Sequence, residues 1–277
     1  MPRREGVHGG GKRRGEREYS DLGIILRSYK LGESDKILRV LTREHGKRSA
    51  VAKGVRKTTS RFGARLEPLT MARMMLHVGR SMDTVKQVEI ETSFREVRED
   101  LDLFFHASAM VEMVDGVTQE HEPHPELFDL LLRGLELLKE FPVRALFITS
   151  FFGFKVMAAA GYDLRVDSCA NCGGAPGGGD ASFSLHLGGL VCDSCKGGRY
   201  REVGRLITVR APSAGLLSWM SLHGFGEWPE EPPALATQRE LGMLMDRVLE
   251  HWMEREFKSR RVMREMPGGG GGRAKGG

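Results

Sequence analysis

The stretch Asp35–Thr42 reads Asp-Lys-Ile-Leu-Arg-Val-Leu-Thr, a short run in which apolar and charged side chains intermingle. The residues Glu44–Lys47 read as a turn, and Ser49–Ala52 forms the next apolar segment. Upstream lies the apolar run Leu22–Leu26. Short runs of this kind, separated by turn residues, are typical of β-strands. The first part of the chain is therefore predicted to be a β-structure.

Two further strands are predicted downstream of this stretch. Leu69–Val78 follows Pro68, and Thr84–Ile90 alternates cleanly between apolar and polar side chains after a turn at Gly79–Ser81. So few short strands leave unpaired edges unless the sheet closes on itself. We therefore expect a small closed barrel of about five strands.

Helical periodicity begins at Asp100. Leu101, Phe104, Val111 and Val114 share one face of the first predicted helix. Further helices are expected from Pro125, over Val143–Ala160, over Pro212–His223 and over about Leu235–Phe257. The helix Val143–Ala160 is apolar nearly all round, which predicts a central position. The fold class is thus α+β, a barrel followed by an all-α domain.

The expected domain organisation has four parts. We predict a disordered basic tail over residues 1–18, the barrel over 19–97, the helical domain over 98–265, and a disordered Gly-rich tail over 266–277. The helical domain is expected to carry a cysteine-bearing insert over residues 167–200.

The overall charge of +5 conceals a segregation of charge. The net charge is +3 over residues 1–18, +7 over 19–97, −10 over 98–254 and +5 over 255–277. Such asymmetry favours a polyanion as partner of the basic part, although basic side chains also serve merely to solvate a surface.

Composition excludes several classes of protein. No run of 18 apolar residues is present, so we expect no membrane span. The basic N-terminus is not followed by the apolar stretch of a secretory signal, and four cysteines are too few for a disulfide scaffold. We therefore expect a cytoplasmic protein.

All four cysteines lie close together, as Cys169-x2-Cys172 and, nineteen residues later, Cys192-x2-Cys195. Two Cys-x-x-Cys pairs at about this spacing are typical of a tetrahedral zinc site, and four thiolates close it to water. One structural Zn²⁺ is therefore predicted; two disulfides, free thiols and a redox pair remain alternatives. His186, between the pairs, is interpreted as a surface residue rather than a ligand.

A basic stretch follows the second predicted strand. Its eight cations are Arg43, Lys47, Arg48, Lys53, Arg56, Lys57, Arg61 and Arg65. Cations on strands and on the following loop can track a phosphate backbone, and no base-reading helix is visible. We expect nucleic-acid binding with little sequence specificity. Tyr29, His45 and Phe62 are candidate base-stacking groups, and Phe62 is equally interpretable as a core residue.

Catalysis on nucleic acid is the competing hypothesis. Glu120, His121, Glu122 and His124 form the one suggestive cluster, whereas Asp100 is more simply interpreted as a helix cap. No phosphate-binding loop, dinucleotide fingerprint or nucleophile elbow occurs. We therefore predict that the protein is not an enzyme.

Several motifs, in order along the chain, resemble one family. They are Gly23–Leu38, Leu41–Lys47, Val51–Lys57, Ser60–Ala64, Pro125–Phe128, Gly161-Tyr162, Cys169–Gly173, Gly188–Cys192 and Phe257–Arg261. Together they resemble the bacterial recombination mediator family RecO over roughly Asp21–Arg261, with only the two tails outside.

The resemblance implies an N-terminal OB-fold, a helical C-terminal domain and an inserted zinc ribbon. It further implies a non-enzymatic, nucleoid-associated mediator of DNA repair and recombination. Such a mediator binds single- and double-stranded DNA, anneals complementary strands, and acts with RecR to load the RecA recombinase. By position, the residues implied in DNA contact are Lys36, Arg39, Lys53, Arg56, Lys57 and Arg61.

The resemblance also implies a partner for the helical domain, the acidic C-terminal tail of single-strand binding protein. That tail needs a cation beside an apolar pocket. The candidate cations are Arg133, Lys139, Arg144 and Lys155. A sequence-tolerant OB and zinc-ribbon protein acting in transcription or on RNA remains the alternative.

Overall fold

Five strands close into a barrel near the N-terminus. A computed structural model describes residues 18–55, 66–196, 203–253 and 259 of the chain. The strands are β1 (Glu18–Leu31), β2 (Asp35–Thr42), β3 (Gly46–Ala52), β4 (Met71–His77) and β5 (Asp83–Thr92). They are ordered β1-β2-β3-β5-β4, and β4 pairs with β1. Only the β3–β5 contact is parallel. The predicted five-stranded, OB-type barrel is confirmed.

Strand β1 is buried on both sides, which explains its continuous apolar run. Ile25 belongs to the barrel interior together with Leu38 and Met74. Ile24 belongs instead to the core shared with the helices. Because successive side chains point to opposite faces of a strand, one short run serves two cores. The barrel and the helices are therefore joined by a continuous apolar interface.

The turn between β2 and β3 is shorter than the sequence predicts, since β3 already begins at Gly46. Gly46 has a φ of +72°, and a Cβ at this position would overlap the carbonyl oxygen of Glu122. Only glycine combines that backbone conformation with such a close approach. The turn thus packs directly against the segment that follows the first long helix.

Helices make up most of the remaining chain. They are α1 (Arg95–Glu99), α2 (Leu101–Val117), α3 (Pro125–Glu140), α4 (Ala145–Ala159), α5 (Asp193–Lys196), α6 (Ala211–Leu222) and α7 (Leu235–Met253). Asp100 caps α2, since its Oδ1 accepts a hydrogen bond from the Leu103 amide at 3.0 Å. Leu101, predicted on the apolar face of α2, is 59% exposed. The short helix α1 has no counterpart in the sequence prediction.

Helix α4 lies at the centre, as predicted, in contact with α2, α3 and α7. A 3₁₀ turn at Pro142–Arg144 precedes it. Within the described part of the chain, Pro142–Ala159 is the one helical segment long and apolar enough to cross a membrane, with a mean hydropathy of 1.3. In the fold 61% of it is buried, which is the environment of a core helix.

The cysteines lie in a small unit between α4 and α6. A β-hairpin is formed there by β6 (Ala181–Ser184) and β7 (Gly189–Val191). A third strand, β8 (Leu206–Val209), pairs with the other edge of β6 and was not predicted. The unit is therefore a three-stranded sheet that carries one cysteine pair on each side of its hairpin.

Candidate metal centre and nucleic-acid interface

The four cysteine sulfurs converge. The Sγ atoms of Cys169, Cys172, Cys192 and Cys195 all lie within 4.8 Å of one another, and those of Cys172 and Cys192 are 3.7 Å apart. A tetrahedron with Zn–S bonds of 2.3 Å has sulfurs about 3.8 Å apart. This arrangement can hold one tetrahedrally bound metal ion.

Backbone geometry directs the sulfurs toward this point. The Gly173 amide donates to the Cys169 carbonyl oxygen at 2.8 Å, which closes the first knuckle, and Gly173 has a φ of +76°. The Cys195 amide closes the second knuckle on the Cys192 carbonyl oxygen at 3.0 Å. Each knuckle thus presents two sulfurs on one side, as the spacing predicts.

Hydrogen bonds to sulfur favour the thiolate of Cys169. For Cys195, the hydrogen bond from Asn171 also lowers the pKa, but burial and the three neighbouring cysteine side chains raise it more, to about 12. The Cys192 amide donates to Cys169 Sγ at 3.3 Å, and Asn171 Nδ2 donates to Cys195 Sγ at 3.4 Å. Burial raises the pKa of Cys169, but hydrogen bonds, chiefly from backbone amides, lower it more, to about 6. The donor set of four soft sulfurs therefore fits zinc. His186 is exposed in the hairpin turn and is not part of the cluster.

The predicted DNA-contacting cations fall into different environments. One group, which we call the paired end, comprises Arg39, Arg43 and Lys47 around the β2–β3 hairpin. Arg39 Nε lies 2.9 Å from Asp115 Oδ1, and Arg39 also faces Glu120 at 3.4 Å. These two carboxylates come from the helical domain, so Arg39 links the two domains.

Arg43 forms a two-pronged contact with helix α3. Its Nε and Nη2 lie 3.0 and 2.8 Å from the two carboxylate oxygens of Asp129. The hydrogen bonds to Asp129 raise the pKa of Arg43, and the same contact lowers the pKa of Asp129. Bidentate pairing of this kind occupies the face of the guanidinium that would otherwise receive a phosphate.

Lys47 is the most enclosed of these cations, with 3% of its surface exposed. Its Nζ donates to the carbonyl oxygens of Asp115 and Thr118, both at 2.6 Å, and to Asp115 Oδ1 at 3.1 Å. Burial lowers the pKa of Lys47. All three ammonium protons are therefore satisfied within the protein, although the lysine was predicted as a DNA contact.

The acidic partners of the paired end were missed in the sequence. Asp115 faces Arg27, Arg39 and Lys47, and although burial raises its pKa, these cations lower it more. Glu112 also faces Arg27, at 3.6 Å. The sequence did contain a signal for these partners. Glu112 and Asp115 lie one turn apart on a mostly buried helix face, and buried charges require partners of opposite charge.

Two other predicted contacts are paired within or beside the barrel. Arg48 lies 3.2 Å from Asp83 and donates to the Tyr19 hydroxyl. Lys36 Nζ lies 2.9 Å from Glu67 Oε1.

The second group, which we call the open end, lies where β1 ends, β2 begins and β3 ends. Lys30 pairs in register with Lys36, and Lys36 with Ala52, so Lys30, Lys36 and Lys53 lie together. Lys30 and Lys53 are exposed and form no ion pair with another described residue. Arg56, Lys57, Arg61 and Arg65, in the segment of sequence that follows, lie outside the described residues. All ten DNA contacts remain predictions.

The remaining candidate residues, for catalysis and for base stacking, mostly take part in contacts within the fold. Glu120 pairs with Arg39 and accepts from Ser49 at 2.9 Å, while His124 lies beside Glu126 at 3.2 Å. The cluster suggestive of catalysis is thus part of the barrel–helix contact. Among the stacking candidates, the His45 ring lies against Tyr19, whereas Tyr29 is 51% exposed. Phe62 lies outside the described residues.

A closed barrel of this topology, with exposed cations at one end and a four-cysteine unit later in the chain, is typical of nucleic-acid-binding proteins. Family models agree with this class. "Recombination protein O N terminal" matches residues 17–94, and "Recombination protein O C terminal" matches residues 98–261.

Individual relatives carry the same name. A DNA repair protein RecO of Desulfitobacterium hafniense is 36% identical over 241 residues, which cover 84% of this chain and 88% of the relative. One from Nocardioides is 34% identical over 245 residues, 87% and 97% of the two chains. One from Rubrobacter xylanophilus is 41% identical over 178 residues, 64% and 71% of the two. The chain belongs to the RecO family of DNA repair and recombination proteins.

Proposed function

We propose that this protein is a non-enzymatic recombination mediator. It binds single- and double-stranded DNA, anneals complementary strands, and helps load a RecA recombinase onto strands coated with single-strand binding protein. A RecR-like protein is its expected partner in that loading, in the cytoplasm and at the nucleoid. The observation that carries the proposal is the open end, where the exposed cations Lys30 and Lys53 lie on an OB-type barrel.

The position of the open end supports strand binding. OB-folds bind oligonucleotides on the face of strands 2 and 3 and on the loops after strands 1 and 4. In this barrel, the loop between β1 and β2 lies at the open end, whereas the loop between β4 and β5 lies at the other end, because His77 pairs with Glu18 at the start of β1. Contacts made mostly to phosphates would leave most bases free to pair, as annealing requires.

We propose one structural Zn²⁺ at the cysteine cluster. Cys169, Cys172, Cys192 and Cys195 would be its ligands, and a closed set of four thiolates leaves no position for a reacting water. The metal would staple the three-stranded unit without taking part in chemistry. Purified protein should contain about one zinc per chain by elemental analysis. Four freely reactive thiols in the native, metal-free protein would contradict the proposal.

For the acidic tail of single-strand binding protein, Arg144 is the best of the four candidate cations. Arg133 faces Glu136 at 3.3 Å and Lys139 faces Glu96 at 3.4 Å, so both are already paired. Burial lowers the pKa of Lys155. Arg144 forms no ion pair with another described residue.

The surroundings of Arg144 also fit such a tail. Its guanidinium lies 4.6 Å from the centre of the Trp228 ring, which packs on Phe141 at 5.1 Å, and the neighbouring Val143 is 93% exposed. Arg144→Ala should weaken binding of an acidic tail peptide, while Arg133→Ala should not. Equal binding by both variants would exclude this surface.

An annealing assay tests the function as a whole. Complementary single strands coated with single-strand binding protein are mixed with the full chain, and duplex formation is followed by fluorescence. We expect annealing that needs no ATP and leaves the strands uncut in the presence of Mg²⁺ or Mn²⁺. Failure to anneal would contradict the mediator function, and cleavage or ligation would contradict the non-enzymatic mechanism.

A further inference from the structure

A pocket opens between the second half of β1, the segment Pro68–Leu69 and helix α2. Its volume is about 290 Å³, and Leu26, Leu69, Phe104 and Val111 form its apolar walls. Small-molecule pockets begin at about 300 Å³. The space therefore suits one planar ring system rather than a folded segment of another protein.

The walls of this pocket are held in place by the backbone. The Leu69 amide donates to the Ile25 carbonyl oxygen at 2.8 Å, and the Ile25 amide donates to the Thr70 carbonyl oxygen at 2.9 Å. Arg98 donates to the Pro68 carbonyl oxygen at 3.1 Å. The pocket is thus preformed, so a ligand does not have to organise it.

Tyr29 lines the pocket and is 51% exposed. Lys30 follows it directly in β1 and projects from the opposite face of the strand. Proteins bind single strands by stacking bases on aromatic rings while nearby cations attract the phosphates.

Charge inside the pocket favours a neutral ring over an acidic peptide. The guanidinium of Arg27 already faces Glu112 and Asp115, each at 3.6 Å. A third carboxylate would meet two negative charges for one positive charge.

We propose that this pocket receives one unpaired base of single-stranded DNA, stacked on Tyr29. The site makes the protein prefer single strands to duplex, because a paired base cannot enter without leaving its helix. The inference rests on the proposed DNA binding and adds to it a site for the base.

The test compares variants of the full chain on a 2-aminopurine-labelled single strand and on the matching duplex. Tyr29→Ala should weaken single-strand binding about 10-fold, the effect of losing one stacked base, and change duplex binding less than about 2-fold. Tyr29→Phe should retain binding and the quenching of 2-aminopurine. Tyr162→Ala, a change at another exposed tyrosine, is the matched control. Ser108→Phe should fill the pocket from α2 and reproduce the loss.

Each other outcome overturns a distinct claim. Unchanged single-strand binding by Tyr29→Ala and Ser108→Phe would exclude the base site while leaving DNA binding intact. Equal losses on single strand and duplex would mean that Tyr29 acts on the phosphate contacts. If the pocket variants bind DNA normally but no longer bind an acidic peptide, the pocket belongs to a protein partner. Absence of DNA binding by the unaltered protein would remove the proposed function itself.

Discussion

The two ends of the barrel carry similar side chains and use them differently. At the paired end, Arg39, Arg43 and Lys47 contact Asp115, Glu120 and Asp129 of the helical domain. At the open end, Lys30 and Lys53 are exposed and have no ion pair among the described residues. A basic stretch in a sequence therefore does not define a binding surface, because an acidic domain of the same chain can neutralise part of it.

The comparison also assigns a use to the acidic domain. Its net charge of −10 does more than repel DNA, since some of its carboxylates form ion pairs with cations of the barrel. Buried or half-buried ion pairs fix the orientation of two domains more specifically than apolar contact does, because each charge left without its partner is costly. The barrel is thereby held with its open end free.

The largest difference in the free energy of unfolding is expected between alanine variants of two lysines near the ends of β3. Lys47→Ala removes an enclosed cation, deprives the carbonyl oxygens of Asp115 and Thr118 of this donor, and leaves the Asp115 carboxylate with one cation fewer, so we expect a loss of about 3 kcal/mol in the free energy of unfolding. Lys53→Ala, at an exposed position, should change it by less than about 0.5 kcal/mol. Urea denaturation at neutral pH measures both. Similar stabilities of the two variants would contradict the distinction between the ends.

The pH dependence of stability is the next largest effect. The folded-state pKa of Asp115 is lowered, so the ionised carboxylate contributes stability above its unfolded pKa of about 3.9 and loses it as the pH falls through the lower folded value. Asp115→Asn should be less stable by about 2 kcal/mol at neutral pH. Its free energy of unfolding should also lack the decrease at acidic pH that protonation of Asp115 causes in the unaltered protein. Asp163→Asn, at an exposed position, should retain the profile of the unaltered protein.

Removing the partner of Arg43 is expected to change the salt dependence of single-strand affinity little or not at all. Asp129→Ala frees the guanidinium, but the strand is expected at the other end of the barrel. The salt dependence of single-strand affinity should therefore equal that of Asp163→Ala, which removes one carboxylate elsewhere. A slope steeper by about 0.7 in Asp129→Ala alone would mean that the freed Arg43 contacts a phosphate.

Local patterns in the sequence were sufficient for much of the fold. The strand over Thr84–Ile90, the start of α3 at Pro125 and the mostly apolar helix α4 each occur as predicted. The four cysteines also meet as their spacing predicts, because knuckle turns are local structures. Strand β8 was missed because it is four residues long and lies beyond the hairpin it joins.

The environment of each cation could not be predicted in this way. Lys47 and Asp115 are 68 residues apart, and no local pattern links them. Whether a lysine is exposed or enclosed depends on how the helices pack on the barrel, which is a tertiary property. The pocket beside Tyr29 likewise combines β1, Pro68–Leu69 and α2. Sequence identified the residue types at the interface, and packing decided which of them are free.

The central claim is that DNA binds at the open end and not at the paired end. It is tested most directly by the salt dependence of single-strand affinity in two variants. Arg56→Ala/Lys57→Ala/Arg61→Ala should flatten the slope of log affinity against log salt by about 2, three contacts at about 0.7 each. Arg39→Ala/Arg43→Ala should leave that slope unchanged. An unchanged slope in the first variant and a flattened slope in the second would contradict the claim.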